Sequence, residues 1–129
     1  FTSWLKQLSH VLQKELVLNR DGTCAVEFKD GVLIEMTAHE HTGGFYLCAA
    51  ICQFPEDPAG QFALLLNSLR FNLEQAETLG GSLCLAPDER SVLLCFARPV
   101  ETFDDARFVA TFLNFYDTCV AARQMLMSA

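Results

Sequence analysis

Apolar residues recur along this chain with two different periods. Near its start, Trp4, Leu5, Leu8, Val11, Leu12 and Leu16 share one face at helical spacing, interrupted by Glu15. Lys6, Gln7, His10, Gln13 and Lys14 occupy the other side. The pattern predicts an amphipathic helix from Thr2 to about Val17, broken by the turn residues Asn19-Arg20-Asp21-Gly22. The period then drops to two. Cys24, Val26 and Phe28 alternate with Ala25, Glu27 and Lys29, and Asp30-Gly31 is a strong hairpin signal. Val32 to Thr37 reads as a second strand, with Val32, Ile34 and Met36 on one side and Leu33, Glu35 and Thr37 on the other. Beyond the turn His41-Thr42-Gly43-Gly44, the third strand Phe45 to Phe54 is almost continuously apolar. Such a strand is expected at a sheet centre or buried on both faces. Pro55 and Pro58 end it, because neither supplies an amide to a ladder.

A helical period returns from about Ala59 to Ala76. Phe62, Leu65, Leu66, Leu69, Leu73 and Ala76 form a broad apolar face, and Leu64 and Phe71 form a narrow one almost opposite. A helix on the outside of a small monomer needs only one apolar face, so the second implies a partner subunit. Gly80-Gly81 follows the helix; Ser82 to Ala86 and Ser91 to Arg98 make a second hairpin around Pro87-Asp88-Glu89-Arg90. The chain closes with a long helix in which Thr102 and Asp105 form a variant capping box. Its wide buried face is Phe108, Val109, Phe112, Leu113, Phe115, Tyr116, Cys119 and Val120, with Asn114, Asp117, Ala121 and Gln124 toward solvent. The order α-β-β-β-α-β-β-α, with hairpin-linked strands, predicts an α+β fold. A twisted antiparallel sheet packs against helices in a single domain over residues 1–129.

Composition narrows the function. With 51% hydrophobic residues and eleven Phe, a chain of 129 residues builds a real core. The net charge of −7 argues against nucleic acid and anionic membrane surfaces, both of which demand Lys and Arg. No apolar run reaches the length of a membrane span. The six cysteines (Cys24, Cys48, Cys52, Cys84, Cys95 and Cys119) sit mostly inside apolar patterns, and the N-terminus carries no signal-like segment. They read as small reduced hydrophobes in a cytoplasmic protein rather than a disulfide framework.

Candidate chemistry is sparse. His39-Glu40-His41 is the one dense polar cluster, but no cysteine stands at a suitable spacing to complete a zinc site, so it reads as a solvated turn. Cys48 and Cys52 share a strand face too far apart to bond to each other. His10 lies on the polar side of the first helix. Asp104-Asp105 and Glu56-Asp57 precede helices, where the helix dipole accounts for them. No glycine-rich phosphate loop or serine elbow is present, and neither an enzyme nor a cofactor is expected.

The ordered segments resemble a class I type III secretion chaperone of the Tir-chaperone-like family. The resemblance rests on Asp21-Gly22-Thr23-Cys24 at the first strand, Phe54-Pro55-Glu56-Asp57-Pro58 before the central helix, and a Leu-rich middle containing Asn67 and Asn72. Gly80-Gly81-Ser82-Leu83-Cys84-Leu85 and the run from Ser91 to Pro99 into an acidic helix start complete it. It implies a cytoplasmic homodimer without cofactors or metal. Such a protein binds an N-terminal segment of one or a few effectors, keeps it extended, and hands it to the secretion apparatus, whose ATPase is a further implied partner. By the same resemblance, Leu64, Asn67, Phe71, Leu83 and Leu85 are dimer candidates. Leu5, Leu8, Leu12, Val26, Phe28 and Leu33 are candidates for an effector groove, with the effector adding a strand to the sheet edge. The alternative is a regulatory module that sequesters another cytoplasmic protein.

Overall fold

The computed structural model describes residues 2–14, 16, 22–39, 43–75, 81–99 and 104–127. Its elements are α1 (Thr2–Leu12), β1 (Thr23–Glu27), β2 (Leu33–His39), β3 (Gly44–Gln53), α2 (Pro58–Gln75), β4 (Ser82–Leu85), β5 (Ser91–Pro99) and α3 (Asp105–Met127). The order is the one the periodicities predict. The five strands form one antiparallel sheet in the order β1-β2-β3-β5-β4. The β1-β2-β3 meander and the β4-β5 hairpin are joined by β3 lying against β5, which places β3 at the sheet centre.

Only one face of that central strand is buried. Phe45, Leu47, Ala49 and Ile51 point into the core, whereas Tyr46 and Ala50 are exposed and Cys48 and Cys52 half-buried. Continuous apolarity in β3 therefore does not signal two covered faces. The outer face of the sheet stays open.

The core lies between the inner sheet face and the helices. Phe108, Phe112, Phe115, Cys119, Ala122 and Leu126 recur at alternating steps of four and three along α3 and are all buried. Trp4 of α1 stacks on Phe108 at 5.1 Å and meets Phe45 edge-on at 5.9 Å, tying both helices to β3. The third helix, α2, packs against β4 and α3.

Helix ends follow local chemistry. α1 stops at Leu12, short of the expected Val17, because Gln13 turns left-handed (φ 55°) and the Lys14 amide donates back to the Ser9 carbonyl at 3.2 Å. Glu15 and the turn at Asn19-Arg20-Asp21 fall outside the described residues, as do Ala76, Gly80 and the turn Glu40-His41-Thr42. Asp57 caps α2 by accepting from the Gly60 amide at 2.7 Å, with Pro58 at the first helical position. At α3, Asp104 accepts from the Arg107 amide at 2.8 Å and is the N-cap; Thr102, expected in that role, lies outside the described residues.

Candidate functional site

The two apolar faces of α2 have opposite fates. Leu64 and Phe71, the narrow pair, are buried in the chain's own core, and Ser68 between them bonds back to the Leu64 carbonyl at 2.8 Å. The broad face is bare: Phe62, Leu65, Leu66, Leu69 and Leu73 are all exposed. Of the five dimer candidates, Leu64, Phe71 and Leu83 are buried in the chain's own core, Asn67 is half-buried, and Leu85 alone is exposed. The narrow stripe takes the interior because α2 packs mainly on β4 and α3, and two large side chains suffice to fill that contact. What remains is an apolar ridge from Phe62 to Leu73, about 16 Å long at 1.5 Å per residue.

The two sheet edges also differ. Backbone groups in an antiparallel pair point alternately toward and away from the partner. Ala86 donates to the Ser91 carbonyl at 2.8 Å, so by alternation Leu83 turns its amide and carbonyl away from β5. The Asn72 side chain meets both: its Oδ1 accepts from the Leu83 amide at 2.6 Å and its Nδ2 donates to the Leu83 carbonyl at 3.1 Å. An amide from α2 thus takes the place of a neighbouring strand and closes the β4 edge. At the other edge Phe28 donates to the Val32 carbonyl at 2.8 Å, so Glu27, Ala25 and Thr23 direct their backbone groups outward. Lys14 Nζ occupies the Glu27 carbonyl and lies 5.1 Å from the Phe28 ring centre. Ala25, exposed and small, marks the accessible part of the β1 edge.

The expected groove residues do not gather into an open cleft. Leu5, Leu8 and Val26 belong to the core, because α1 and β1 turn their apolar faces inward against α3 and the sheet. Leu12 and Phe28 are partly buried at its margin, and Leu33 is exposed on the outer sheet face. Phe28 stacks on Tyr116 at 4.1 Å. Tyr116 donates its hydroxyl to Asp30 at 2.6 Å, and Arg123 donates to the Asp30 carbonyl at 3.0 Å, so α3 clamps the β1–β2 turn. The Tyr116 hydrogen bond, with help from the Val32 amide, holds the Asp30 carboxyl below its usual range; the same bond pushes the Tyr116 phenol up. Among the described residues no group of His, Cys, Asp and Glu is placed to hold a metal, and no helix is long and apolar enough to cross a membrane.

This arrangement of fold, closed edge and open edge can be set beside known proteins. Residues 3–123 match the model of the Tir chaperone protein (CesT) family. The chain belongs to the Tir chaperone protein family. Solved structures agree with that Tir chaperone assignment at the level of the fold. A chain of the HopA1–SchA chaperone–effector complex superposes with a TM-score of 0.72 at 16% identity, covering 95% of this chain and 92% of that one. A chain of the ExsC–ExsE complex gives 0.75 at 14% identity, covering 95% and 90%. A chain of the ExoU–SpcU complex, from the type III secretion system of Pseudomonas aeruginosa, gives 0.70 at 16%, covering 96% and 94%. No curated protein matches by sequence. Within the Tir chaperone fold, the α2 ridge, the β1 edge at Ala25 and the outer sheet face are open among the described residues. Asn72, which decides which edge is open, appears in the sequence only as one of two asparagines in the Leu-rich helix; its neighbour Phe71 on the buried side is the signal that it faces inward.

Proposed function

We propose that this Tir chaperone family member is a class I type III secretion chaperone that works as a homodimer in the bacterial cytoplasm. It binds an N-terminal segment of an effector protein and keeps it extended for export, without catalysing a reaction. The match over residues 3–123 carries this reading, and the solved complexes of similar fold support it. The α2 ridge supplies the subunit contact. Each Leu or Phe it buries is worth about 1.5–3 kcal/mol before the cost of association. The open β1 edge accepts an effector strand at Ala25, where main-chain hydrogen bonds give affinity without demanding a particular sequence. The contact surface must be large, because an extended segment loses chain entropy when it orders.

The test is affinity capture from the source bacterium, with limited proteolysis of the main partner. One dominant partner protected only in an N-terminal segment supports the chaperone reading. A folded partner without a protected extended segment points to the sequestering module instead. Ala25→Pro removes an outward amide from the β1 edge and is expected to weaken capture at least tenfold while leaving the fold intact by circular dichroism. Unchanged capture would place the effector strand elsewhere.

A further inference from the structure

Cys48 and Cys95 face each other across the centre of the sheet. They are directly paired in the β3–β5 register, and their sulfurs are 3.8 Å apart. Alternation of the ladder fixes the type of pair from both sides. On the β5 side, Ser82 opposite Cys95 is a hydrogen-bonded pair, so the Cys95 backbone groups point to β4. On the β3 side, Glu35 turns away from β1, so the Cys48 backbone groups point to β2. Cys48 and Cys95 therefore form a non-hydrogen-bonded pair, the kind in which Cα atoms approach to about 4.5 Å and side chains come closest. That separation falls within the range that a disulfide spans, about 4.4–6.8 Å between Cα atoms.

Access is also present. Both residues are half-buried on the open outer face and line a cleft of about 510 Å³ with Tyr46, Cys84 and Arg98. The charged or titratable groups facing the pair are Glu35 from β2 and Cys84 from β4, and Tyr46 from β3 and Ser82 from β4 line the same cleft. We propose that Cys48 and Cys95 are a peroxide-oxidisable dithiol that closes into a cross-strand disulfide. The thiol–thiol hydrogen bond lowers Cys48 and raises Cys95, whereas burial pushes Cys24 and Cys52 up and Cys119 up to about 12. In this proposal Cys48 is the attacking thiolate and Cys95 the resolving thiol. The Cys48 sulfur attacks one peroxide oxygen, the O–O bond breaks, and the departing hydroxide takes a proton to leave as water. The Cys95 sulfur, giving up its proton, then attacks the Cys48 sulfenic acid; the S–O bond breaks and a second water leaves. Two thiols are oxidised, one hydrogen peroxide is reduced to two waters, and β3 becomes covalently joined to β5. That pairing unites the meander with the second hairpin, so the bond staples the two halves of the sheet.

The experiment treats the reduced full chain with hydrogen peroxide at neutral pH and follows it by intact mass and non-reducing peptide mapping. The expected product is lighter by two hydrogens, links the peptides of Cys48 and Cys95 within one chain, and reverts with dithiothreitol. Cys84→Ser should close normally, whereas Cys95→Ser should leave Cys48 as a sulfenic acid trapped by dimedone. A bond through Cys84, a bond between chains, or oxygen uptake without any bond would overturn the assignment. A second readout needs no variant: in the native protein, peroxide should remove iodoacetamide labelling from Cys48 and Cys95 together, and dithiothreitol should restore both. Loss of labelling at only one of the two would equally overturn it.

Discussion

Phe71 and Leu73 stand two residues apart on α2, yet one is 3% exposed and the other 78%. Composition treats them alike; their position around the helix does not. Phe71→Ala should therefore act on the fold of the chain and cost about 3–5 kcal/mol, measured as a lower urea midpoint. A Phe71 variant that stays folded and merely dissociates would contradict its place in the core. The Asp30–Tyr116 bond gives a prediction in pH. Asp30 is lowered on folding, so its contribution is present above the unfolded carboxylate value, about 3.9, and is lost as pH falls through the lower folded one. Tyr116 is raised, so its contribution is present below about 10 and is lost as pH rises through the folded value. Tyr116→Phe should move the Asp30 carboxyl back toward its ordinary titration, seen by carbon-detected NMR. An unmoved titration would assign the lowering to the Val32 amide instead.

At the scale of elements, the sheet has one edge closed by a side chain and one left open. Asn72 supplies a donor and an acceptor in the spacing of a peptide group, so β4 gains the equivalent of a neighbour without another strand. Replacing Asn72 with Ala leaves the Leu83 amide and carbonyl without that partner, at a cost of about 1–3 kcal/mol. Faster hydrogen exchange at Leu83, with β1 unaffected, is the expected signature. Uniform acceleration across the sheet would mean that the bond matters only to global stability. Strand existence and order were legible from the alternation at Cys24 to Phe28 and the turn at Asp30-Gly31. The exposure of β3's outer face was not, because apolar residues on a strand do not report whether anything covers them.

At the scale of the molecule, the bare ridge from Phe62 to Leu73 is expected to bind a second copy. Leu69→Glu should leave helix content unchanged and convert a dimer into a monomer by analytical ultracentrifugation. The wild-type thermal midpoint should rise with protein concentration, as mass action requires of a dimer, and that of the variant should not. A dimer that survives the charge would move the subunit contact to the outer sheet face. The net charge of −7 keeps a molecule with this much apolar surface dispersed before it finds its partner.

Read alone, the sequence determined the number, kind and order of the elements, because hydrophobic periods of about 3.6 and 2 are local properties that each segment carries by itself. It also determined that α2 has two apolar faces and that the chain resembles a secretion chaperone. Which of those faces goes inside was decided only by the tertiary structure. Packing depends on what β4 and α3 present to the helix, and neither is near α2's buried residues in every case by sequence distance. For the same reason the burial of Leu5, Leu8 and Val26 could not be read ahead, since a periodic apolar stripe looks identical whether its cover is the chain itself or a partner. The pairing of β3 with β5, and with it the meeting of Cys48 and Cys95 forty-seven residues apart, likewise exists only once the sheet is assembled.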